Sequence, residues 1–197
     1  MDLISLVKKT IFLANSFDVY IEILFEDAEI VVVNKPAGMI VHAAPGHNGL
    51  SLADALAKRR PSMMEAGSRE RPGVVHRLDI ETSGVMVFAR NKRTAAYLSG
   101  LIQKGLMVKE YVALVHGTPP ESGDWEDLLF KDSRKNKVFV VKKERKGVKK
   151  ARLEFKTLRA GEESLVRIRL HTGRSHQIRV QFASRGYPLV GDHKYGA

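Results

Sequence analysis

The HRLD segment at residues 76–79 contains the carboxylate whose position in the sequence is most consistent with a catalytic role. It lies between an apolar pair, residues 74–75, and a turn-rich segment, residues 80–84. Asp79 is therefore expected on a loop between structured elements, where catalytic side chains often lie. Aspartate also favours turns for purely structural reasons, so the segment alone leaves a structural role open. The inserted Leu78 does not fit a kinase catalytic loop, and no glycine-rich phosphate loop or DFG triplet accompanies it.

A second polar cluster, TGRSHQIR at residues 172–179, has two arginines, a histidine and a glutamine at a turn that opens a predicted helix. The free amides of a helix N-terminus suit a phosphate, although a solvated helix start is the structural alternative. Arg179 follows the inward-facing Ile178, so we expect it at the edge of the core, within reach of a buried carboxylate. An opposite charge within about 4–6 Å lowers the pKa of an aspartate. Paired in this way, Asp79 would stay ionised near neutral pH and could act as a nucleophile.

Several other reaction types lack their sequence signatures. The histidines show neither HExxH spacing nor an acidic cluster, which argues against a zinc or iron site. No Gly-x-Ser-x-Gly elbow indicates a serine hydrolase, and no Rossmann or P-loop glycine pattern indicates a nucleotide cofactor. Because the chain has no cysteine, it has no disulfide and no thiolate metal ligand. The sequence therefore predicts a protein without a metal or cofactor.

The balance of charge favours a polyanionic partner. The chain has a formal net charge of +11 and a pI near 9.9, and phosphate-dense RNA attracts basic proteins through counterion release. Acidic residues outnumber basic ones in residues 1–50, so the excess positive charge lies after residue 50. A solvated basic surface without a specific ligand is the alternative interpretation.

The composition also bounds size and location. No apolar run approaches the ~20 residues that span a bilayer, and the first nine residues lack the features of a secretory signal. We therefore expect no membrane association, and the absence of cysteine fits the reducing cytoplasm. A chain of 197 residues is long enough for one well-buried core. We predict a single catalytic domain over residues 1–197, with residues 1–18 as an N-terminal extension.

The first half of the chain mixes strands and helices. Two strands, VYIEILFED and EIVVVNK, are predicted within residues 18–35, separated by an acidic turn at Glu26-Asp27. GVMVFAR at residues 84–90 is predicted to be a buried strand. Asn91 then caps a predicted helix that ends at Gly105.

Between these strands the sequence predicts one further helix. Ser51 and Asp54 resemble a capping box, and apolar residues follow at helical spacing until Pro61 ends the helix. A polar loop is expected over residues 63–72.

Strands dominate the second half. Residues 107–116 alternate as a strand with Lys109 and Tyr111 on one face, where the tyrosine ring could equally serve as core packing. A hairpin is predicted over residues 125–141, followed by a basic stretch at residues 142–152.

Two further strands, at residues 153–158 and 164–171, precede a short helix that Ser175 is expected to cap. Ile178 and Phe182 lie one turn apart on its inner side. Strands that follow one another in this way predict an α+β fold, with a largely antiparallel mixed sheet flanked by helices and loops.

Together, four segments resemble the RluA-like family of pseudouridine synthases, which modify ribosomal and transfer RNA. The segments are VVVNKPAGMIVH at 31–42, VVHRLDIETSGVMVFAR at 74–90, KEYVALVHG at 109–117 and LHTGRSHQIRVQFASRGYPLVGDHKYG at 170–196. The resemblance covers nearly everything after residue 20. It implies the pseudouridine synthase fold, and an isomerase that flips a specific uridine out of rRNA or tRNA before acting on it.

The resemblance also implies roles for individual residues. Asp79 corresponds to the family's essential aspartate, Tyr111 to the tyrosine that packs on the target base, and Arg179 to the basic residue that pairs with the aspartate. Arg77 resembles the arginine that occupies the space left by the flipped nucleotide. The other predicted substrate-binding residues are Lys109, Arg174 and Gln177. No cofactor is implied, because the isomerisation involves neither oxidation nor hydrolysis overall.

The chain departs from the family pattern in two ways. Many relatives carry a ribosomal-protein-like RNA-binding module ahead of the catalytic domain, whereas only a short stretch precedes the first predicted strand here. Relatives also usually continue past the position of Gly196-Ala197 with a further helix and strand, so the C-terminal end is interpreted as a candidate truncation. We expect a monomer. The alternative function is a non-catalytic RNA-binding or ribosome-assembly protein on the same scaffold.

Overall fold

The computed structural model describes residues 21–44 and 49–196. They form two compact units, which divide between Lys104 and Gly105. The first unit contains a three-stranded sheet and the second a five-stranded sheet, and every strand pair in both is antiparallel. The predicted α+β class with a largely antiparallel sheet is confirmed, with its strands divided between two sheets.

The sheet of the first unit consists of β1 (Glu22–Glu26), β2 (Ile30–Lys35) and β3 (Gly84–Ala89), in the order β1-β2-β3. At the tip of the β1–β2 hairpin, the Asp27 carboxylate accepts hydrogen bonds from two backbone N–H groups that follow it, both at 2.8 Å. The acidic turn and the three strands of the first half are therefore confirmed. The part of the first predicted strand before residue 21 lies outside the described residues.

Helix α1 (Leu52–Arg59) begins with the predicted capping box. The Ser51 hydroxyl accepts a hydrogen bond from the backbone N–H of Asp54, whose carboxylate accepts one from the backbone N–H of Ser51. Residues Pro61–Ala66 then form a 3₁₀ helix, so the polar loop predicted from residue 63 is wrong over its first part. Proline suits the first position of a helix, and the fully buried Met63 anchors this turn to the core.

Helix α2 (Lys92–Gln103) follows β3 directly. Its cap is the predicted Asn91, whose side-chain oxygen accepts a hydrogen bond from the N–H of Thr94 at 2.9 Å. Gly105, with a φ of +70°, adopts the left-handed conformation that ends many helices. Both predicted boundaries are confirmed.

The strands of the second unit are β4 (Glu110–His116), β5 (Ser122–Asp132), β6 (Lys137–Val141), β7 (Val148–Arg159) and β8 (Glu163–Leu170). Their order in the sheet is β4-β8-β7-β5-β6. The predicted hairpin corresponds to β5 and β6, and the basic stretch at residues 142–152 divides between a connecting turn and the first part of β7.

Helix α3 (Gln177–Ala183) packs on one face of this sheet. The Phe182 ring is fully buried, with its centre 4.8 Å from that of Trp125 and 5.3 Å from that of Phe155. Ile178 packs against the same apolar cluster. The predicted inward placement of Ile178 and Phe182 is therefore confirmed.

The start of α3 differs from the predicted one. The cap residue is not Ser175 but His176, which has a φ of +51° and provides no side-chain cap. The Gln177 side chain closes the turn before α3, because its Oε1 accepts a hydrogen bond from the N–H of Arg174 at 3.1 Å. The preceding turn is thus held by a glutamine amide instead of a serine hydroxyl.

Within the two described stretches of chain, no helix combines the length and the apolar content needed to cross a lipid bilayer.

Candidate active site

Asp79 lies on the connection that leads into β3. The side chain of Leu78 is buried and anchors this connection, while Arg77 is exposed and Asp79 is half-buried. The carbonyl of Asp79 accepts a hydrogen bond from the N–H of Thr82 at 3.1 Å, which closes a turn immediately after the carboxylate. The connection thus presents one carboxylate and one guanidinium from a backbone that is fixed on both sides of them.

Lys35, the last residue of β2, holds this connection in place by a hydrogen bond to Ile80. Its side chain has no solvent exposure, and its ammonium donates to the carbonyls of Pro36 at 2.8 Å, Met39 at 2.8 Å and Ile80 at 3.0 Å. An ammonium has three donors and no acceptor, so these carbonyls satisfy it completely. The Ile80 carbonyl also accepts a hydrogen bond from the N–H of Gly38 at 2.9 Å. The residue after Asp79 is therefore held by two donors from the β2 end of the sheet.

Burial lowers the pKa of Lys35, because the charged form loses hydration. The negative charges of Glu81 and Asp79 oppose this effect. The Lys35 ammonium therefore interacts with the charge of Asp79, the candidate catalytic carboxylate, and also holds the carbonyl of the next residue, Ile80.

His76 ties the same connection to β3. Its Nε2 accepts a hydrogen bond from the backbone N–H of Val87 at 3.1 Å. An imidazole nitrogen that accepts carries no proton, so this contact selects the neutral tautomer with the proton on Nδ1. His76 therefore helps to hold the loop in place.

Tyr111 lies on β4 in the second unit, directly opposite Ile168 of β8. It is half-buried and packs against the apolar cluster beneath the sheet. The ring is therefore fixed by packing on one side. Val112, the next residue, points to the opposite face and is exposed.

Lys109 immediately precedes β4, and its ammonium lies beside Gly173, about 3.5 Å from the point that a Cβ atom at that glycine would occupy. Burial lowers the pKa of Lys109, and the nearby positive charge of Arg174 lowers it further. The structure therefore brings Lys109 and the turn at residues 173–174 together, as two cationic side chains in close proximity.

The Gln177 side chain shapes that turn. It is 2% exposed, and its Oε1 accepts from the Thr172 hydroxyl at 2.8 Å as well as from the N–H of Arg174. Its Nε2 donates to the carbonyl of Arg152 at 3.1 Å. The Arg174 guanidinium itself is exposed and donates to the carbonyl of Lys150 at 2.9 Å.

Arg179 on α3 is held by a carboxylate that the sequence did not single out. Its Nε and Nη2 donate to the two carboxylate oxygens of Asp192, each at 2.6 Å, in a bidentate pair. Burial raises the pKa of Asp192, but the hydrogen bonds and charge of Arg179 and the N–H groups of Lys194 and Tyr195 outweigh it, so this pKa is lowered overall. The pair fixes the orientation of the guanidinium.

Across residues 21–44 and 49–196, no three His, Cys, Asp or Glu side chains are grouped in a way that could hold a metal ion.

A family model described as RNA pseudouridylate synthase matches residues 29–184. The chain belongs to the RNA pseudouridylate synthase family. This confirms the resemblance to RluA-like enzymes that four segments of the sequence indicate, and the matched range includes Asp79, Tyr111 and Arg179.

Curated relatives and solved structures agree with this membership. The chain is 40% identical over 177 residues to an uncharacterized RNA pseudouridine synthase of Aquifex aeolicus, a match that covers 89% of this chain and 56% of the relative. It is 36% identical over 181 residues to ribosomal large subunit pseudouridine synthase D of Zymomonas mobilis, covering 91% of this chain and 57% of the relative.

Among solved structures, human RNA pseudouridylate synthase domain containing 4 superimposes with a TM-score of 0.70 at 30% identity, over 88% of this chain and 68% of that one. The pseudouridine synthase fold is therefore confirmed. The chain spans about half the length of the curated relatives that it matches.

The residues predicted for a pseudouridylate synthase site divide between the two units. Arg77 and Asp79 belong to the first, and the second holds the others, which are Tyr111, Lys109, Arg174, Gln177 and Arg179. The predicted ion pair between Asp79 and Arg179 joins the two units and stays a prediction.

Sequence reasoning missed Lys35 and Asp192. Each carried a weak signal: Lys35 is a charged residue at the end of a strongly apolar strand, and Asp192 is an acid that follows a glycine in the last family-like segment.

Proposed function

We propose that this protein is an RNA pseudouridine synthase that isomerises a specific uridine in rRNA or tRNA. The observation that carries the proposal is the family match over residues 29–184, which includes an aspartate on a rigidly held loop. Several curated relatives are named ribosomal large subunit pseudouridine synthase D. Large-subunit rRNA is therefore the first substrate to test.

The reaction requires a group that acts at the sugar. The bond between N1 of uracil and C1′ of the ribose breaks, the base turns, C5 bonds to C1′, the hydrogen on C5 leaves as a proton, and N1 takes up a proton from water. Atoms balance without an oxidant, a reductant or a cofactor. The Asp79 carboxylate can attack the electron-poor sugar carbon, as carboxylates do at other glycosidic bonds. The alternative is that it takes a proton from the sugar.

The remaining residues take supporting roles in this proposal. Tyr111 packs on the target base, Arg179 pairs with Asp79, and Arg77 fills the space left by the flipped nucleotide. Lys109 and Arg174 contact the RNA backbone. Gln177, whose amide is used inside the protein, contributes by shaping the turn that carries Arg174.

The two units act together in this proposal as one catalytic domain, in a cytoplasmic monomer that needs no metal. The target uridine must leave its stack before Asp79 can reach the sugar, at a cost of roughly a few kcal/mol. Contacts with phosphates and with the flipped base offset this cost.

The test is Asp79→Asn in the full chain. Incubation with rRNA transcripts labelled with tritium at uridine C5 should release tritium for the unchanged protein and none for this variant. RNA affinity should stay within a few-fold because the substitution removes no contact to phosphate. Glu81→Gln, which changes an exposed carboxylate two residues away, is the matched control and should release tritium normally. Full activity of Asp79→Asn would refute the catalytic role.

A further inference from the structure

One segment at the edge of the second sheet supplies most of the net positive charge of this chain. Residues 131–152 contain eleven Lys or Arg against two acids, so they supply +9 of the net charge of +11. They form the end of β5, all of β6, the connection to β7 and the first part of β7. All eleven basic side chains except the half-buried Lys137 are exposed. A charge density of this kind attracts a polyanion.

The same edge carries an apolar strip on the face turned away from α3. Phe130 lies opposite Phe139, and Leu128 opposite Val141, across the β5–β6 pair. Their neighbours on the other face, Leu129 and Val138 among them, are buried against α3. Since side chains alternate along a strand, the four residues of the strip share the outer face.

Within this strip, the two aromatic rings differ in how they are covered. The guanidinium carbon of Arg145 lies 4.5 Å from the centre of the Phe130 ring, and Gly147 passes close to the same ring. Phe139 is 38% exposed. The edge therefore has one partly exposed aromatic ring, Phe139, near the guanidinium of Arg145 and near several lysines.

We propose that this outer edge, Phe130, Phe139 and Arg145 with Lys142, Lys143, Lys146 and Lys150, binds an unpaired segment of the RNA substrate. The base of one nucleotide stacks on Phe139, and the phosphates on either side contact the lysines and Arg145. This assignment deepens the proposed function, since it names the part of the RNA substrate that lies outside the isomerisation site.

An unpaired segment fits this edge better than a duplex does. Aromatic side chains bind nucleic acid by stacking on base faces, and those faces are accessible only where the bases are unpaired. A duplex would use the lysines but leave Phe139 without a partner. The charge also argues against an apolar protein segment as the occupant, because such a segment would gain nothing from the surrounding lysines.

The experiment compares Phe139→Leu with the unchanged protein by fluorescence anisotropy. Two labelled RNAs serve as probes, an oligouridine of about twelve nucleotides and a blunt duplex of the same length. Leucine keeps an apolar side chain at this position but has no aromatic face. We expect oligouridine affinity to fall about tenfold, duplex affinity to stay unchanged, and Phe139→Trp to bind at least as tightly as the unchanged protein. Tyr97→Leu, at an aromatic side chain on α2 that is 66% exposed, is the matched control and should not change either affinity.

A second variant tests the electrostatic part. Replacing Lys142 and Lys143 by alanine should weaken the binding of both RNAs. It should also reduce the slope of log affinity against log salt by about 0.7 on the oligouridine for each phosphate contact removed. With the tritium assay, Phe139→Leu should raise the RNA concentration required for half-maximal rate and leave the maximal rate unchanged.

Oligouridine affinity of Phe139→Leu within twofold of the unchanged protein would overturn the proposal. Equal losses on the duplex and on oligouridine would also overturn it, because stacking would then not be involved. Binding does not depend on isomerisation, so the two proposals fail separately. If Asp79→Asn stays active, the catalytic role fails while the stacking result stands.

Discussion

The ammonium of Lys35 donates a hydrogen bond to the carbonyl of Ile80, the residue that follows Asp79. Lys35 and Ile80 are separated by 45 positions in the chain, and the Lys35 side chain has no solvent exposure. The same ammonium also holds the carbonyls of Pro36 and Met39. One buried cation therefore connects the end of β2 to the loop that carries the candidate catalytic carboxylate.

Replacing Lys35 by methionine should destabilise the protein strongly. Methionine has nearly the same length but no donor, so three carbonyls would each lose a hydrogen bond, and only that of Ile80 would keep a second donor, the N–H of Gly38. We expect the free energy of unfolding to fall by about 3 kcal/mol. Urea denaturation followed by tryptophan fluorescence or circular dichroism measures it.

The matched control is Lys58→Met, at an exposed lysine of α1. That substitution should change the free energy of unfolding by less than about 0.5 kcal/mol. Equal stability of the two variants would show that the Lys35 contacts contribute little.

Asp192 makes the stability of the protein depend on pH. Its pKa in the folded protein lies below the ordinary value of 3.8, so the unfolded chain takes up this proton first as pH falls. The stabilisation is complete above about pH 4 and is lost as pH falls through the folded pKa. Asp192→Asn should lower the free energy of unfolding by about 3 kcal/mol at neutral pH, because the bidentate ion pair with Arg179 is lost at a buried carboxylate. The difference between the two proteins should shrink in acid, as urea titrations over a series of pH values would show.

Asp124→Asn provides the comparison for this pH effect. Asp124 also forms a bidentate pair with an arginine, Arg152, at 3.0 and 2.7 Å, but both side chains are more than 40% exposed. Solvent screens such a pair, so its removal should change stability far less than removal of the Asp192 carboxylate. An Asp192 variant that behaves like the Asp124 variant at every pH would contradict a stabilising role for the buried pair.

Local patterns in the sequence predicted the elements well because their causes are local. The Ser51 capping box, the Asn91 cap and the Gly105 helix end each depend on groups within a few residues of one another. The hairpin of β5 and β6 is likewise adjacent in the chain. These features follow from residue type and spacing alone.

The contacts that hold the candidate site could not be predicted in the same way. Lys35 donates a hydrogen bond to a carbonyl 45 positions away. Arg179 on α3 donates to Asp192, which lies 13 positions later in the chain, after the end of that helix. Which partner a charged side chain finds at such separations depends on how the elements pack. The sequence identified Arg179 as a residue that pairs with a buried carboxylate, but its spacing gave no reason to choose Asp192.

Gln177 illustrates the same difference within a single turn. Its position in the TGRSHQIR segment suggested contact with the substrate, whereas its amide bonds the Thr172 hydroxyl, the Arg174 N–H and the Arg152 carbonyl. Because all three partners belong to the protein, the amide fixes the turn that carries Arg174. Loss of the amide should therefore act on RNA binding through the shape of this turn.

Gln177→Met tests this role with a side chain of similar size and no hydrogen-bonding group. We expect the free energy of unfolding to fall by about 2 kcal/mol, since buried partners are left unsatisfied. RNA affinity should fall as well, because Arg174 is no longer held in place. Gln103→Met, at an exposed glutamine that ends α2, is the control and should alter neither quantity. If Gln177→Met lost RNA affinity at undiminished stability, the amide would be a direct contact to the RNA. If it kept both, the three hydrogen bonds would have no part in shaping the site.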